Sequence, residues 1–348
     1  MQRRSFITTI LASTAVPALG SAGVTVPASK SADKASSKFV LPKGLQAGAR
    51  IGVACPASGV SVNELRVFEK LCLSEGYTPV MGRNIQKSIG YLSAPDQDRA
   101  DEFMEFIENP EIDAIICARG GYGVMRILPM LDYKSIGQAR KPIVGFSDIT
   151  ALLISANQLG HVVTFHGPVA TSTFDSFTLN SFKEVLQASS DETTPEFSSP
   201  KITTITPGVA RGRLTGGNLA VVAATLGTNY EINTRGAILF LEEINEEPYQ
   251  IDRMLTHLWL AGKLQVCAGI AFGNFRNCEA KEKSISYPPH SLMRVLQDRT
   301  ADLGIPVVYG LPFGHVKSKL TLPLGVRAEL DATNKSLRML DHAVQALT

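Results

Sequence analysis

The sequence predicts an α/β protein built on a parallel sheet with helices on both faces. Short apolar runs that read as buried strands alternate with segments of helical spacing, and such alternation lays the strands parallel and the helices across the sheet. Two of the strands run into glycine-containing turns, Arg119-Gly-Gly-Tyr-Gly123 and Gly145-Phe-Ser147. These sit at carboxyl strand ends, where sheets of this kind bind ligands. At 348 residues the chain also has room for two domains with cores of their own.

In chain order, Ala49 to Ala54 is expected as the first strand, followed by the turn Cys55 to Gly59. Val62 to Glu75 has helical spacing, with Val67, Phe68, Leu71 and Cys72 inward. Tyr77 to Val80 reads as the second strand. Pro95 to Ile107 reads as a helix with Asp96, Asp98, Arg99, Asp101 and Glu102 on its wet side. Ile112 to Cys117 and Pro142 to Val144 are the third and fourth strands; Ile149 to Gln158 is a helix and His161 to Phe165 the fifth strand. From Thr171 to Pro207 the composition shifts: Asn180 to Ala188 has helical character, and Ser189 to Thr206 is rich in Ser, Thr and Pro, as in a linker. Beyond it, Arg211 to Asn218 is expected to open a helix running to Leu226. Gly236 to Leu241 is a buried strand running straight into Glu242-Glu243. Pro248 to Ala261 is a helix with Ile251, Leu255, Leu258 and Trp259 on its apolar side. Val266 to Phe272, Pro289 to Leu303 and Ile305 to Tyr309 follow as strand, helix and strand. The expected layout is a signal at 1–28, a spacer at 29–43, a first domain at 44–170, a linker at 171–207 and a second domain at 208–348.

The N-terminal assignment rests on Arg3-Arg4-Ser5-Phe6-Ile7, a twin-arginine-like start, and on the apolar run Ile7 to Val16, too short to span a bilayer. Small residues around Ala18 to Ala22 supply cleavage signals. The expected compartment is the periplasm, with no stable membrane insertion once the signal is removed. Net charge is +2 and no basic cluster interleaves with aromatics, which argues against nucleic acid as a partner. The five cysteines, Cys55, Cys72, Cys117, Cys267 and Cys278, are scattered and form no zinc or disulfide pattern. Cys55 and Cys117 lie in apolar runs and are expected to be buried. With no His-Glu-x-x-His either, no metal or other cofactor is expected.

Ser147 sits at a sharp strand-to-helix turn. There a hydroxyl is pushed out of the sheet, and the next amide and the helix N-terminus face it, which suits a nucleophile. The plainer reading is a helix cap by Ser147 or Asp148. The Arg119 loop presents bare N–H groups suited to an anion, and the plainer reading there is a glycine-rich turn. A serine nucleophile needs a base and the base an orienting carboxylate. Of the six histidines, His166 and His315 both follow strands beside glycine, and the residues alone leave them close. Glu242 and Glu243 are the carboxylate candidates.

The motifs Arg119-Gly-Gly-Tyr-Gly123, Gly145-Phe-Ser-Asp148, Phe165-His-Gly-Pro168, Gly216-Gly-Asn-Leu219, Leu241-Glu-Glu-Ile-Asn-Glu246 with Arg253, and Gly314-His315 occur in this order. Together they resemble the LD-carboxypeptidase family of serine peptidases, which also includes the microcin C immunity peptidases. The resemblance spans roughly Gly44 to the C-terminus. It implies a flavodoxin-like N-terminal domain, a swivelling β/β/α C-terminal domain, and often a homodimer. It places the nucleophile on Ser147, the base on His315 and the acid on Glu242, with Glu243 standing where the family usually has Asp. It assigns the oxyanion amides to Asp148 and Gly121. Arg119, Gly120 and Asn218 are expected to contact substrate, the Arg119 loop taking the terminal carboxylate. The implied reaction is metal-free hydrolysis of the amide between an L-centre and a C-terminal D-amino acid, the usual substrate being a murein tetrapeptide that loses D-Ala. The rival readings are a relative acting on peptidyl-nucleotide conjugates and a non-catalytic periplasmic binding protein.

Overall fold

The computed structural model describes residues 39–187, 194–280 and 290–346. The expected signal and most of the expected spacer lie outside these residues. The first sheet holds β1 (Arg50–Ala54), β2 (Thr78–Met81), β3 (Ala114–Cys117), β4 (Ile143–Gly145) and β5 (Thr164–His166), all parallel. Their order is β5-β4-β3-β1-β2, and β12 (Leu322–Leu324) closes the β5 edge antiparallel. β3 (Ala-Ile-Ile-Cys) is buried at every position, as a parallel strand covered on both faces must be.

Among the described residues the second sheet has eight strands. Its parallel centre is β8 (Val209–Asn218), β9 (Ala237–Ile244), β10 (Gly269–Arg276) and β11 (Val307–Tyr309). Antiparallel neighbours flank it. β7 (Thr203–Thr206) pairs with β11, β13 (Arg327–Asp331) with β8, β14 (Ser336–Met339) with β13, and β6 (Glu196–Ser198) with β14.

Several elements differ from the sequence reading. The segment expected as linker contains α6 (Ser176–Leu186) as well as β6 and β7, whose ladders supply the order that their polar composition concealed. Arg211 to Asn218 lies in strand β8, and only Leu219–Ala224 (α7) is helical. The cause is at Gly216 and Gly217, both at φ 146°, a conformation outside the helical range. A Cβ on Gly216 would lie 1.8 Å from the Phe240 carbonyl oxygen, so glycine lets β8 press against β9. β9 runs on through Glu242 and Glu243, both buried, because each carboxylate finds hydrogen-bond partners.

Helix α1 (Val62–Ser74) is held by a capping box between Ser61 and Glu64. It buries Leu65, Phe68 and Cys72, while Val67 is exposed. Helix α2 (Asp96–Glu108) buries Arg99 and Glu102, two charges expected in water. Both serve loops: Glu102 accepts the Cys55 and Asn84 amides at 2.9 and 2.6 Å. Among the described residues the remaining helices are α3 (Val124–Ile127), α4 (Tyr133–Ala139), α5 (Thr150–Gly160), α8 (Pro248–Leu260) and α9 (Leu292–Thr300). On α8, Ile251, Leu255 and Leu258 are buried but Trp259 faces out, one position past the apolar stripe.

Helix α5 joins the two sheets. It is buried from Thr150 through Asn157, which explains its apolar residues on every side. Asn157 donates to the Leu324 carbonyl of β12, and the Thr150 hydroxyl accepts the Asn218 amide of β8 at 3.0 Å. All five cysteines are buried and free.

Candidate active site

Strand β4 ends at Gly145, and the chain turns through a short 3₁₀ segment, Ser147–Ile149, into α5. A Cβ on Gly145 would lie 2.6 Å from a methyl carbon of Ile149, so the sharp entry to the turn needs glycine. Ser147 has φ +63°, left-handed for a residue with a side chain. That strained turn leaves it partly exposed between buried neighbours Phe146 and Asp148. A serine in this conformation at a strand-to-helix junction is the geometry of a nucleophile elbow.

The Arg119 loop lies directly against it. A Cβ on Gly120 would sit 2.8 Å from the Ser147 Cβ, 3.0 Å from its hydroxyl and 3.3 Å from the Asp148 amide nitrogen. Gly121, at φ +115°, packs on Ser58, and Gly123, at φ +120°, on Leu92 and Arg99. Among the described residues the Gly121 amide takes part in no hydrogen bond. The loop is pinned at both ends. Ser58 accepts the Tyr122 amide at 3.3 Å and donates to the Tyr91 carbonyl at 2.7 Å. The buried Arg99 guanidinium donates to the carbonyls of Gly123, Pro56 and Ala94. The Asp148 carboxylate, whose burial pushes its pKa up to about 6, accepts the Val124 amide at the start of α3.

Glu242 approaches from strand β9 of the second sheet and His315 from the loop after β11. The Glu242 carboxylate meets the His315 ring at Nδ1, 2.7 Å away, and accepts the His315 amide on the same oxygen at 3.2 Å. Gly314, at φ +91°, makes room: a Cβ there would lie 2.4 Å from that oxygen. The other Glu242 oxygen accepts from Asn218 at 3.4 Å. Glu243 turns away from His315. It accepts the Ala220 amide at 2.7 Å, the Ile244 amide at 2.9 Å and Asn218 at 3.0 Å, and burial raises its pKa to about 7. Asn218 thus ties the two glutamates together while its own oxygen caps α7.

The Phe146 ring, next in chain to Ser147, lies edge-on to His315 with centroids 4.9 Å apart. His166, the rival histidine, is also close but differently placed. It is fully buried among Phe146, Phe240 and Phe313, and neither ring nitrogen has a hydrogen-bond partner among the described residues. Burial lowers its pKa to about 4, so it is neutral at physiological pH. Lys319, also buried, holds its ammonium 4.8 Å from the Phe146 ring centre, and burial lowers its pKa to about 8.

Arg119 is half-buried, with its guanidinium 3.5 Å from the Gly59 carbonyl on the Ser58 side of the loop. Ser58, Arg99 and Lys319 lie outside the residues that the sequence marks for the site, and Phe146 enters it only as the residue between Gly145 and Ser147. Ser58, in the turn after the first strand, was the one with a detectable signal. Among the described residues no group of three or more His, Cys, Asp or Glu side chains is placed to hold a metal ion.

Comparison with known proteins places this geometry in context. Residues 51–167 match the family model of the LD-carboxypeptidase N-terminal domain, and residues 211–330 that of the C-terminal domain. A probable murein peptide carboxypeptidase of Bacillus subtilis is 36% identical over 302 residues, 85% of this chain and 92% of that protein. The crystal structure of muramoyltetrapeptide carboxypeptidase from Oxalobacter formigenes superposes with a TM-score of 0.75 at 32% identity, covering 84% of this chain and 99% of that one. The microcin C7 self-immunity protein in its apo state shares the fold, with a TM-score of 0.81 at 24% identity over 88% of this chain and all of that one.

Proposed function

The chain belongs to the LD-carboxypeptidase family, and from that premise we propose that it is a serine carboxypeptidase releasing the terminal D-alanine of murein tetrapeptides. The observation that carries the reading is the buried Glu242 bonded to His315 Nδ1 at 2.7 Å, on the sheet that faces the strained Ser147 turn through Phe146. With Nδ1 committed to the carboxylate, Nε2 of His315 is the ring nitrogen left for proton transfer.

In the proposed reaction, His315 takes the proton of Ser147 as its oxygen attacks the scissile carbonyl. The Asp148 and Gly121 amides hold the oxyanion, and Glu242 stabilises the imidazolium. His315 then protonates the leaving D-alanine amine, and water, activated by the same histidine, frees the acyl-enzyme. Gly120 keeps the oxyanion loop in contact with the serine. Asn218 holds Glu242 in place, a supporting part alongside its expected contact with substrate.

Twin-arginine export to the periplasm, supported by Arg3-Arg4 and the apolar run after them, would bring the enzyme to its murein substrate. A homodimer and the lack of a nucleic-acid partner belong to the same reading. Mass spectrometry of a purified tetrapeptide digested by the enzyme tests the reaction. The expected product is the tripeptide plus free D-alanine. An intact tetrapeptide, with no labelling of Ser147 by a fluorophosphonate, would overturn the assignment.

A further inference from the structure

A cavity of about 870 Å³ opens on the far side of the Arg119 loop from Ser147, at the carboxyl ends of β1 and β2. Arg66, Lys87 and Arg119 line it, with Glu64 the one acid among the described residues of its walls. Glu64 is already engaged, accepting the Ser61 amide at 2.9 Å and the Ser61 hydroxyl at 2.8 Å, and these bonds hold its pKa below the ordinary carboxylate value. None of the three cations has an ion-pair partner among the described residues, whereas Arg83, Arg126, Arg211 and Arg327 elsewhere on the surface each have one. Arg119 and Lys87 lie within electrostatic reach of Glu64 and Glu102, and Lys87 also donates to Asn84, so it is the excess of cations around one concave space that raises the local potential for an anion.

The walls are built in advance. Gly59 packs on the Lys87 carbonyl, the Gln86 amide donates to the Val60 carbonyl at 3.1 Å, and Ser58 ties Tyr91 to the Gly121 loop. Across that loop the cavity is near the nucleophile. Gly120 touches Ser147 and Gly121 touches Ser58, so the two serine hydroxyls lie no more than about 12 Å apart. Two extended residues span about 7 Å, more than half of that upper limit, so the second residue upstream of the scissile carbonyl is the first that can bring a carboxylate toward the cavity.

We propose that this cavity is a subsite for a carboxylate on the acyl side of the peptide, two residues upstream of the bond that is cut. In a murein tetrapeptide that group is the free α-carboxylate of the γ-linked D-glutamate. Arg66 and Lys87 confer the preference, and the Arg119 loop keeps its expected part with the terminal carboxylate. This rests on the reading of the chain as a murein tetrapeptide carboxypeptidase.

The test uses the tripeptide product, L-alanyl-γ-D-glutamyl-diamino acid, in two forms: with the glutamyl α-carboxylate free and with it amidated. Calorimetric binding is measured on the full wild-type enzyme, on the Arg66→Ala/Lys87→Ala double variant, and on Arg66→Lys/Lys87→Arg, which keeps both charges. The wild type is expected to bind the acid at least about tenfold more tightly than the amide, with the gap narrowing as salt rises. The alanine variant is expected to bind both forms alike and the charge-keeping variant to retain the gap. Equal binding of acid and amide by the wild type, equal weakening of both in the alanine variant, or no binding of either form would overturn the subsite. Tetrapeptide hydrolysis is read separately. Turnover without the acid preference removes the subsite alone, and acid preference without turnover removes the proposed reaction alone.

Discussion

The Asp148 carboxylate accepts the backbone N–H of Val124 at 2.9 Å, so the residue after the serine also fixes the exit of the glycine loop. Ser147 and the Gly121 amide are held in one frame by this bond and by the close approach of Gly120. The proposed nucleophile and oxyanion donors therefore move together, the preorganisation that electrostatic stabilisation of an oxyanion requires.

Burial of the same carboxylate, which outweighs the lowering effect of that bond, predicts a pH effect on stability. Burial raises the Asp148 pKa to about 6 from its ordinary 3.8. The folded chain therefore keeps this proton over a range where the unfolded chain has lost it. The stabilisation is fully present below pH 3.8 and is lost as pH rises through 6. The full swing is up to about 3 kcal/mol. Asp148→Asn keeps an oxygen for the Val124 amide and removes the titration. Denaturant melts between pH 4 and 7 should show wild type losing stability relative to Asp148→Asn as pH rises. Parallel curves for the two proteins would refute the assignment.

Gly120→Ala should damage catalysis more than folding. The backbone at Gly120 is not left-handed, so the added methyl meets no conformational strain of its own. Its Cβ would lie 2.8 Å from the Ser147 Cβ and 3.0 Å from the hydroxyl, so the serine or the loop must shift. Displacement of a reacting group by about 1 Å can cost about a hundredfold. The expected result is a kcat lower by about that factor with an unchanged circular dichroism spectrum.

Ser147 variants separate activity from strain. Ser147→Ala keeps a Cβ at φ +63° and should fold like wild type, with turnover lowered by up to about a million-fold if the triad acts as a unit. Ser147→Gly should be equally inactive but more stable, by about 1 kcal/mol, because glycine adopts this conformation without the steric cost. Paired melting and rate measurements check both. Activity near wild type in either variant would exclude Ser147 as nucleophile.

How far the sequence reveals this site depends on where each group's constraint lies. The parallel core strands were legible because burial on both faces leaves unbroken apolar runs such as Ala114 to Cys117. Gly145-Phe-Ser147 and Arg119 to Gly123 were legible because tight turns demand glycine locally. Arg99 and Glu102 were not: on a helix, charge normally marks the wet face, and their burial depends on loop carbonyls and amides distant in sequence. Strand β8 is hidden in the sequence because its glycine pair looks like a helix-opening loop until β9 is laid beside it. β12 carries Pro323, which is admitted at the sheet edge it occupies but argues against a strand in isolation. The residues alone leave His166 and His315 close; the three-dimensional difference is a carboxylate 2.7 Å from one ring, whereas among the described residues neither nitrogen of the other ring has a hydrogen-bond partner.

The last prediction separates the adjacent glutamates. Successive side chains on a strand point to opposite faces, and here Glu242 meets His315 while Glu243 accepts the amides of Ala220 and Ile244. Glu242→Gln retains a hydrogen-bonding group beside the ring but loses the charge that stabilises the imidazolium. By analogy with the serine-protease triad, kcat should fall about a thousand- to ten-thousand-fold. Glu243→Gln removes only support delivered through Asn218, so kcat should fall by about tenfold at most. Because burial raises the Glu243 pKa to about 7 from its ordinary 4.5, its contribution to stability is present below pH 4.5 and is lost as pH rises through 7, a dependence that Glu243→Gln should remove from the stability profile. Measuring kcat for both variants on one tetrapeptide, with circular dichroism as a folding control, decides the matter. A dead Glu243→Gln beside a live Glu242→Gln would move the acid to Glu243, in spite of the 2.7 Å contact that Glu242 makes with His315.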